Sequence, residues 1–387
     1  MPKARQAPWQ LELPWLQSRE LTNIPAVNRR LLQFWLENVC QVMTLDPDNN
    51  PMSFPVVEQL ADSKALVHAL QSVSAGYELY YAPSSITQCI EERGKALYTM
   101  RQEIQAPTAI RVQSFLAVWI LGLSSQWIDN SVGAFGEQHL MAARAILDSL
   151  LQQKDFPVDH PFRPFIVGAF IWWDMACSFL VESSKQKPLD TPEIFAAVTL
   201  LRGKFCTLMS HATELFYHLC SLGRYCRIFL DSGIRNQEFE ILIEHELLTW
   251  EHSSQEDNLK TLNETFRLHG LVMLYRLCKD VAIDNEDIIR DHSQTILRNI
   301  SHISTDSPIF KFLTLPLLSA GAELCKEDQE MRVQVVKWFA VLYSHVRLPT
   351  LNWTTALLYD LWARRDAGEQ INWLQLMLQK GWALMLG

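Results

Sequence analysis

The chain has 387 residues, of which 48% are hydrophobic and 20% charged, and 13 Trp with 18 Phe supply ample bulky core material, which excludes a disordered chain. A formal charge of -9 makes the average surface repel polyphosphate. The densest basic spots, Arg29-Arg30, Arg364-Arg365 and the terminal PKAR, are too short for a nucleic-acid patch, so direct nucleic-acid binding is not expected of this chain.

Cys40, Cys89, Cys177, Cys206, Cys220, Cys226, Cys278 and Cys325 are scattered through apolar patterns such as MACSFL and YHLCSL. They read as reduced core residues rather than a disulfide framework or a zinc site, and the N-terminus lacks the apolar run of a secretory signal. An intracellular, reducing compartment is the expectation.

Taken in chain order, LDPDNNPMSFP, 45–55, reads as a loop because its prolines and Asx residues break regular structure. Leu66, Leu70, Val73 and Tyr77 recur at helical spacing. In HLMAARAILDSLLQQ the apolar set Leu140, Ala143, Leu147, Leu150 and Leu151 forms one stripe, with Arg144, Asp148 and Gln152 outside it. DFPVDHPFRP, 155–164, holds three prolines and reads as an extended connection.

FIVGAFIWWDMACSFLV, 165–181, is the longest apolar run. It is shorter than the roughly 20 residues a bilayer needs and carries Asp174 at its centre, so it reads as a buried helix. Its Trp172 and Trp173 could line a small-molecule cavity. The preferred reading is a packed core helix whose Asp174 caps or pairs with a neighbouring element.

DTPEIF places Thr191 as an N-cap, Pro192 at the first helical position and Glu193 at the positive end of the dipole. EHSSQEDNLKTLNE, 251–264, is the expected mobile surface region, much of which could still be helix. Ile289, Ile296, Ile300 and Ile303 mark a further helix, as do Val335, Val336, Phe339, Leu342 and Tyr343, with Gln334 and Lys337 off the stripe.

FLTLPLLSAGAEL, 312–324, is too short to span a membrane and is interrupted by Pro316; it reads as a buried helix with Pro316 in its first turn and Gly321 permitting close helix approach. Alternation of period two is missing. The fold class expected is all-α, a large multi-helix bundle or irregular helical array with no significant sheet.

Chemical motifs are sparse. HELLTWEH lacks the second His at i+4 that a zinc helix needs, although His245 and His252 at i+7 share a face on a continuous helix. HATELFYHLC could bring His211, Glu214 and His218 to one face, and Cys220 and Cys226 flank SLGRY without CxxC spacing. Each reads as surface or core rather than as a metal site. G-x-S-x-G, P-loop, G-x-G-x-x-G and kinase signatures are absent, as are the paired aspartates of a terpenoid synthase. Neither a catalytic residue, a metal ligand nor a cofactor is assigned, and an enzyme is not expected.

Several ordered segments resemble the fungal-specific transcription factor domain, the helical regulatory region that follows the zinc-cluster DNA-binding module in many fungal regulators. They are NPMSFPVVEQLADSKALVHALQSVSAGY, ERGKALYTMRQEI, SFLAVWILGLSSQ and GEQHLMAARAIL, the last built on His139, Leu140, Ala143 and Arg144. The Trp often found three residues before that His is Gly136 here. SPIFKFLTLPLLSAGAEL with Ala320-Gly321, the helix led by Arg332, and LYDLWARRDAGEQINWLQLM with Trp362, Asp366, Gly368 and Trp373 are similar to the late signature.

The resemblance covers about residues 35–387. The family's DNA-binding module needs six cysteines, and the first 39 residues contain none. The expected division is an N-terminal segment 1–39 without a zinc cluster and a regulatory domain 40–387.

The resemblance implies a transcriptional regulator in the nucleus, otherwise the cytoplasm. It would act through protein contacts with a DNA-binding factor or the transcription machinery. Effector sensing and homo- or heterodimerisation stay open, no membrane is involved, and the ligand-binding residues are unknown. The alternative functions are a helical scaffold without a transcriptional role and a helical enzyme.

Overall fold

The structure, a computed structural model, describes residue 24 and residues 26–79, 85–105, 111–129, 131–254, 256–277 and 285–387. The terminal PKAR and Cys278 lie outside the described residues. Apart from one isolated bridge between Cys206 and Ser210, the regular structure among the described residues is helical, as the absence of period-two alternation predicts.

The chain enters through α1 (Arg29–Phe34), which Asn28 caps by accepting from the Leu31 amide. It continues through a π turn (Trp35–Val39) and a 3-10 turn (Cys40–Met43). The loop after these turns is held by side-chain bonds: Trp35 Nε1 donates to Met52 O (2.7 Å) and Asn50 Nδ2 to Cys40 O (2.9 Å). This loop closes earlier than the proline pattern suggests. Pro55 sits at the start of α2 (Phe54–Glu58), where its missing N–H costs nothing.

Next, α3 (Lys64–Glu78) packs against α4 (Ser85–Gln105) and α5 (Val112–Leu123). Every residue of α3 from Ala65 to Tyr77 is buried, so its polar side chains need partners. The Glu92 carboxylate on α4 meets His68 Nδ1 and accepts from Gln71 Nε2, each at 2.6 Å, and Ser72 donates to Cys89 O.

After α6 (Ser125–Asp129) come α7 (Glu137–Gln152) and α8 (Arg163–Cys177). Here too helix claims part of an expected connection, with Pro164 in the first turn of α8. All of α8 from Phe165 onward is buried, and among the described residues no helix is long and apolar enough to cross a membrane. At the crossing of α5 and α8, a Cβ on Gly122 would lie 2.2 Å from Trp173 Cη2. Gly136, at φ +75, has no room for a side chain: a Cβ there would meet Gly122 O at 2.8 Å.

Then follow α9 (Pro192–Leu200), α10 (Thr213–Ser232) and α11 (Gln237–Thr249). Thr191 accepts from the Ile194 amide and Pro192 opens α9, as the DTPEIF pattern predicts. Most of the charged stretch 251–264 belongs to α12 (Asp257–Leu277), which pairs with α13 (Glu286–His302).

The chain ends in α14 (Thr314–Ala322), α15 (Gln329–Val346), α16 (Pro349–Asp366) and α17 (Trp373–Gln379). All residues of α14 are buried, and a Cβ on Gly321 would meet Val335 Cγ1 of α15 at 3.0 Å, the close approach expected of this glycine. The final residues return to the N-terminal half, where Ala383 N donates to Val132 O and Gln126 Nε2 to Ala383 O. One hydrophobic cluster runs from Leu32 to Leu386.

Candidate functional site

Asp174 and Arg224 anchor the site. Asp174 lies on the buried stretch of α8, and a lone carboxylate there is costly unless paired. Arg224, on the facing side of α10, grips it with both terminal nitrogens, Nη2 to Oδ1 at 2.5 Å and Nη1 to Oδ2. Desolvation opposes the charge on Arg224, but Asp174 outweighs it and raises the guanidinium pKa. Asp174 thus pairs with a neighbouring element, the preferred reading of the sequence.

Arg144 of α7 departs from its expectation. Its place off the apolar stripe predicts exposure, yet it is buried, because its guanidinium lies 5.9 Å from the Phe170 ring centre and bonds Asp148 at 2.9 and 3.1 Å. Between Arg144, Asp174 and Arg224 remains a cavity of about 40 Å³, enough for a few waters.

Through Arg224, Gln186 and Lys187 this cavity adjoins a larger groove of about 640 Å³. The groove lies between the 183–190 connection, α9, α10 and α11, with mainly apolar walls from Leu189, Phe195, Tyr217, Phe239, Leu242 and Ile228. Its polar points include Ser221, Asn236 and the facing pair His218 and Glu246, whose nearest atoms are 3.7 Å apart. Burial lowers the His218 pKa and raises that of Tyr217 to about 12, so both favour their neutral forms at pH 7.

The tryptophan region is different. Trp172 lines a cavity of only about 60 Å³ with Trp119, Trp127, Phe312, Lys311 and Met385. Trp173 is fully buried and does not line it. Small-molecule sites occupy about 300–1,000 Å³, a range the groove meets and this cavity does not. Desolvation lowers the Lys311 pKa to about 8, and its ammonium donates to Gln41 O.

The histidine patterns do not assemble. α11 ends at Thr249, so His252 leaves the face of His245 and bonds Glu264 instead, 3.3 Å away. α10 begins at Thr213, which puts His211 beside Ser210 and Phe205, while Glu214 turns to Arg202. Among the described residues no three His, Cys, Asp or Glu side chains gather as a metal site. Cys40, Cys89, Cys177, Cys206, Cys220 and Cys226 are buried, as the apolar patterns around them predict, whereas Cys325 is half-buried.

The late signature residues converge on one joint. Arg332 of α15 binds Asp366 of α16 through both oxygens, donates to Leu324 O at 2.9 Å and lies 5.0 Å from the Trp362 ring centre. Trp362 Nε1 donates to Gly321 O at 2.9 Å. Beside them Glu323 is held between Arg276 (2.5 Å) and Arg365 (3.1 Å). Gly368 takes φ +93 where the chain leaves α16, and Trp373 meets Phe179 edge to face at 5.6 Å. These residues lock the C-terminal helices together.

Compared with known families, the chain matches the fungal specific transcription factor domain over residues 30–387. The chain belongs to that family. The family is a regulatory domain of transcription factors, so the joint and the groove are features of a fungal transcription factor domain. No curated protein and no solved structure matches the chain.

Residue-by-residue reading missed the groove, although a signal was present in α11. Ile241-Leu242-Ile243 and Leu247-Leu248 place apolar side chains on more than the one face a packed helix can bury.

Proposed function

We propose that this fungal transcription factor domain regulates transcription in the nucleus by binding other proteins, a DNA-binding factor or the transcription machinery, with no DNA-binding module within residues 1–387. Residues 40–387 form the regulatory domain and 1–39 an N-terminal segment that carries no zinc cluster. The observation that carries the reading is family membership across 30–387 in a chain whose first 39 residues hold no cysteine. An enzymatic role is not part of it. Chromatin immunoprecipitation of the tagged native-locus protein tests it: promoter occupancy is expected, and nuclear exclusion without any transcript change on deletion would leave the scaffold reading.

Effector sensing is a second element of the proposal, favoured by the volume and mixed lining of the groove. In a thermal-shift screen of metabolites, a ligand at 100 times its Kd should add roughly 2.7 kcal/mol. A screen without any stabiliser counts against this element alone.

A further inference from the structure

We propose that the groove between α9, α10 and α11, together with the outer face of α11, docks an amphipathic segment of another protein whose apolar residues are flanked by Lys and Arg. This inference rests on the reading of the domain as one that works by protein contacts.

The helical wheel of α11 supplies the first argument. Glu240, Ile243 and Leu247 are its buried residues, and Phe239, Leu242, Ile243 and Glu246 line the groove. Glu238, Ile241, His245 and Leu248, at i, i+3, i+7 and i+10, form a third face that touches no core. Ile241 is 69% exposed and Leu248 54%, and Ile234 just before the helix is 70% exposed. On the groove's opposite side Phe195 is 59% exposed. Single exposed apolar residues are ordinary, but Phe195, Ile228 and Leu242 in the groove, with Ile241 and Leu248 on the adjoining face of α11, make a set that marks a surface for a partner.

Shape and charge specify the occupant. The groove is partly open to solvent rather than enclosed, so apolar side chains of a helix can be laid into it. α11 carries four glutamates and no Lys or Arg. Glu240 is held by Arg235 and Tyr225, and Glu244 accepts from Tyr275. Glu238 stands beside the apolar face, Glu246 faces His218 at 3.7 Å, Glu251 follows the helix end, and Asp190 lines the groove from the 183–190 connection.

Of the cations in the lining, Arg224 is neutralised by Asp174, and Lys187 sits at the inner end where the groove meets the smaller cavity. A second copy of this chain is disfavoured, since a two-fold contact would bring two acidic α11 helices, neither with a Lys or Arg, against each other. The same charge opposes nucleic acid and anionic lipid.

Fluorescence anisotropy with the full chain tests the proposal. The probe is a labelled synthetic helical peptide with Leu at i, i+3, i+4 and i+7 and Lys at flanking positions; its twin carries Glu instead of Lys. The Lys peptide should bind at least about tenfold more tightly than the twin and lose affinity as salt rises. An Ile241→Ser/Leu242→Ser double variant, altered only at exposed positions, should weaken binding about tenfold with an unchanged melting temperature.

Equal binding of both peptides, binding of neither, or full affinity in the variant overturns the proposal. So does a dimer, seen by sedimentation, that the variant abolishes. Promoter occupancy is read separately: occupancy without peptide binding defeats the groove alone, and peptide binding without occupancy defeats only the transcriptional reading.

Discussion

Arg332 on α15 and Asp366 at the end of α16, 34 positions apart in sequence, meet through two hydrogen bonds of 2.7 and 2.8 Å. The arginine side chain is buried and its carboxylate partner is half-buried. Asp366→Ala should therefore cost about 3 kcal/mol in urea unfolding, because it strands a buried cation. A loss below about 1 kcal/mol would show that Arg332 finds another anion or reaches water.

The two close-packed glycines should differ. A methyl at Gly122 would collide with the rigid indole of Trp173, whereas one at Gly321 touches a Val335 methyl that can shift by a few tenths of an ångström. Gly122→Ala is expected to cost about 3 kcal/mol and Gly321→Ala about 1 kcal/mol or less. Melting temperatures in the reverse order would refute the packing at the α5–α8 crossing.

Asp174 and Arg224 invite a double-mutant cycle. Asp174→Leu alone leaves Arg224 unpaired at the groove's inner end, with an expected cost of about 3–5 kcal/mol. Adding Arg224→Met should recover most of that loss, since two apolar side chains need no partner. Additive losses would mean that Arg224 has a stabilising partner besides Asp174.

His269, on α12, is buried, and desolvation lowers its pKa from 6.5 to about 3. The unfolded chain then binds a proton that the folded chain refuses, so stability falls as pH drops from about 6.5 toward 3. The slope from this residue is at most about 1.4 kcal/mol per pH unit. His269→Leu should flatten the difference between unfolding free energies at pH 7 and pH 5. An unchanged difference would assign the acid sensitivity to other groups.

The sequence by itself determined the helical class, the buried stripes of α13 and α15, the Thr191 cap and the burial of α14, and by resemblance of its motifs the family. The stripes follow from spacing within one segment, where helix geometry converts sequence period into a face. Only the tertiary structure decided the fate of side chains that depend on a distant element. Arg144 and Arg332 are buried because Phe170, and Asp366 with Trp362, are there to receive them.

Helix ends mattered as much. One turn more on α11 would have kept His252 beside His245, and one turn more on α10 would have taken in His211. The groove, finally, belongs to no segment: α9, α10, α11 and the connection before them each contribute a wall, and their arrangement is set by a core contact elsewhere, as where α10 packs on α8. Local period encodes which face a helix buries, but not which neighbour stops short and leaves part of that face open.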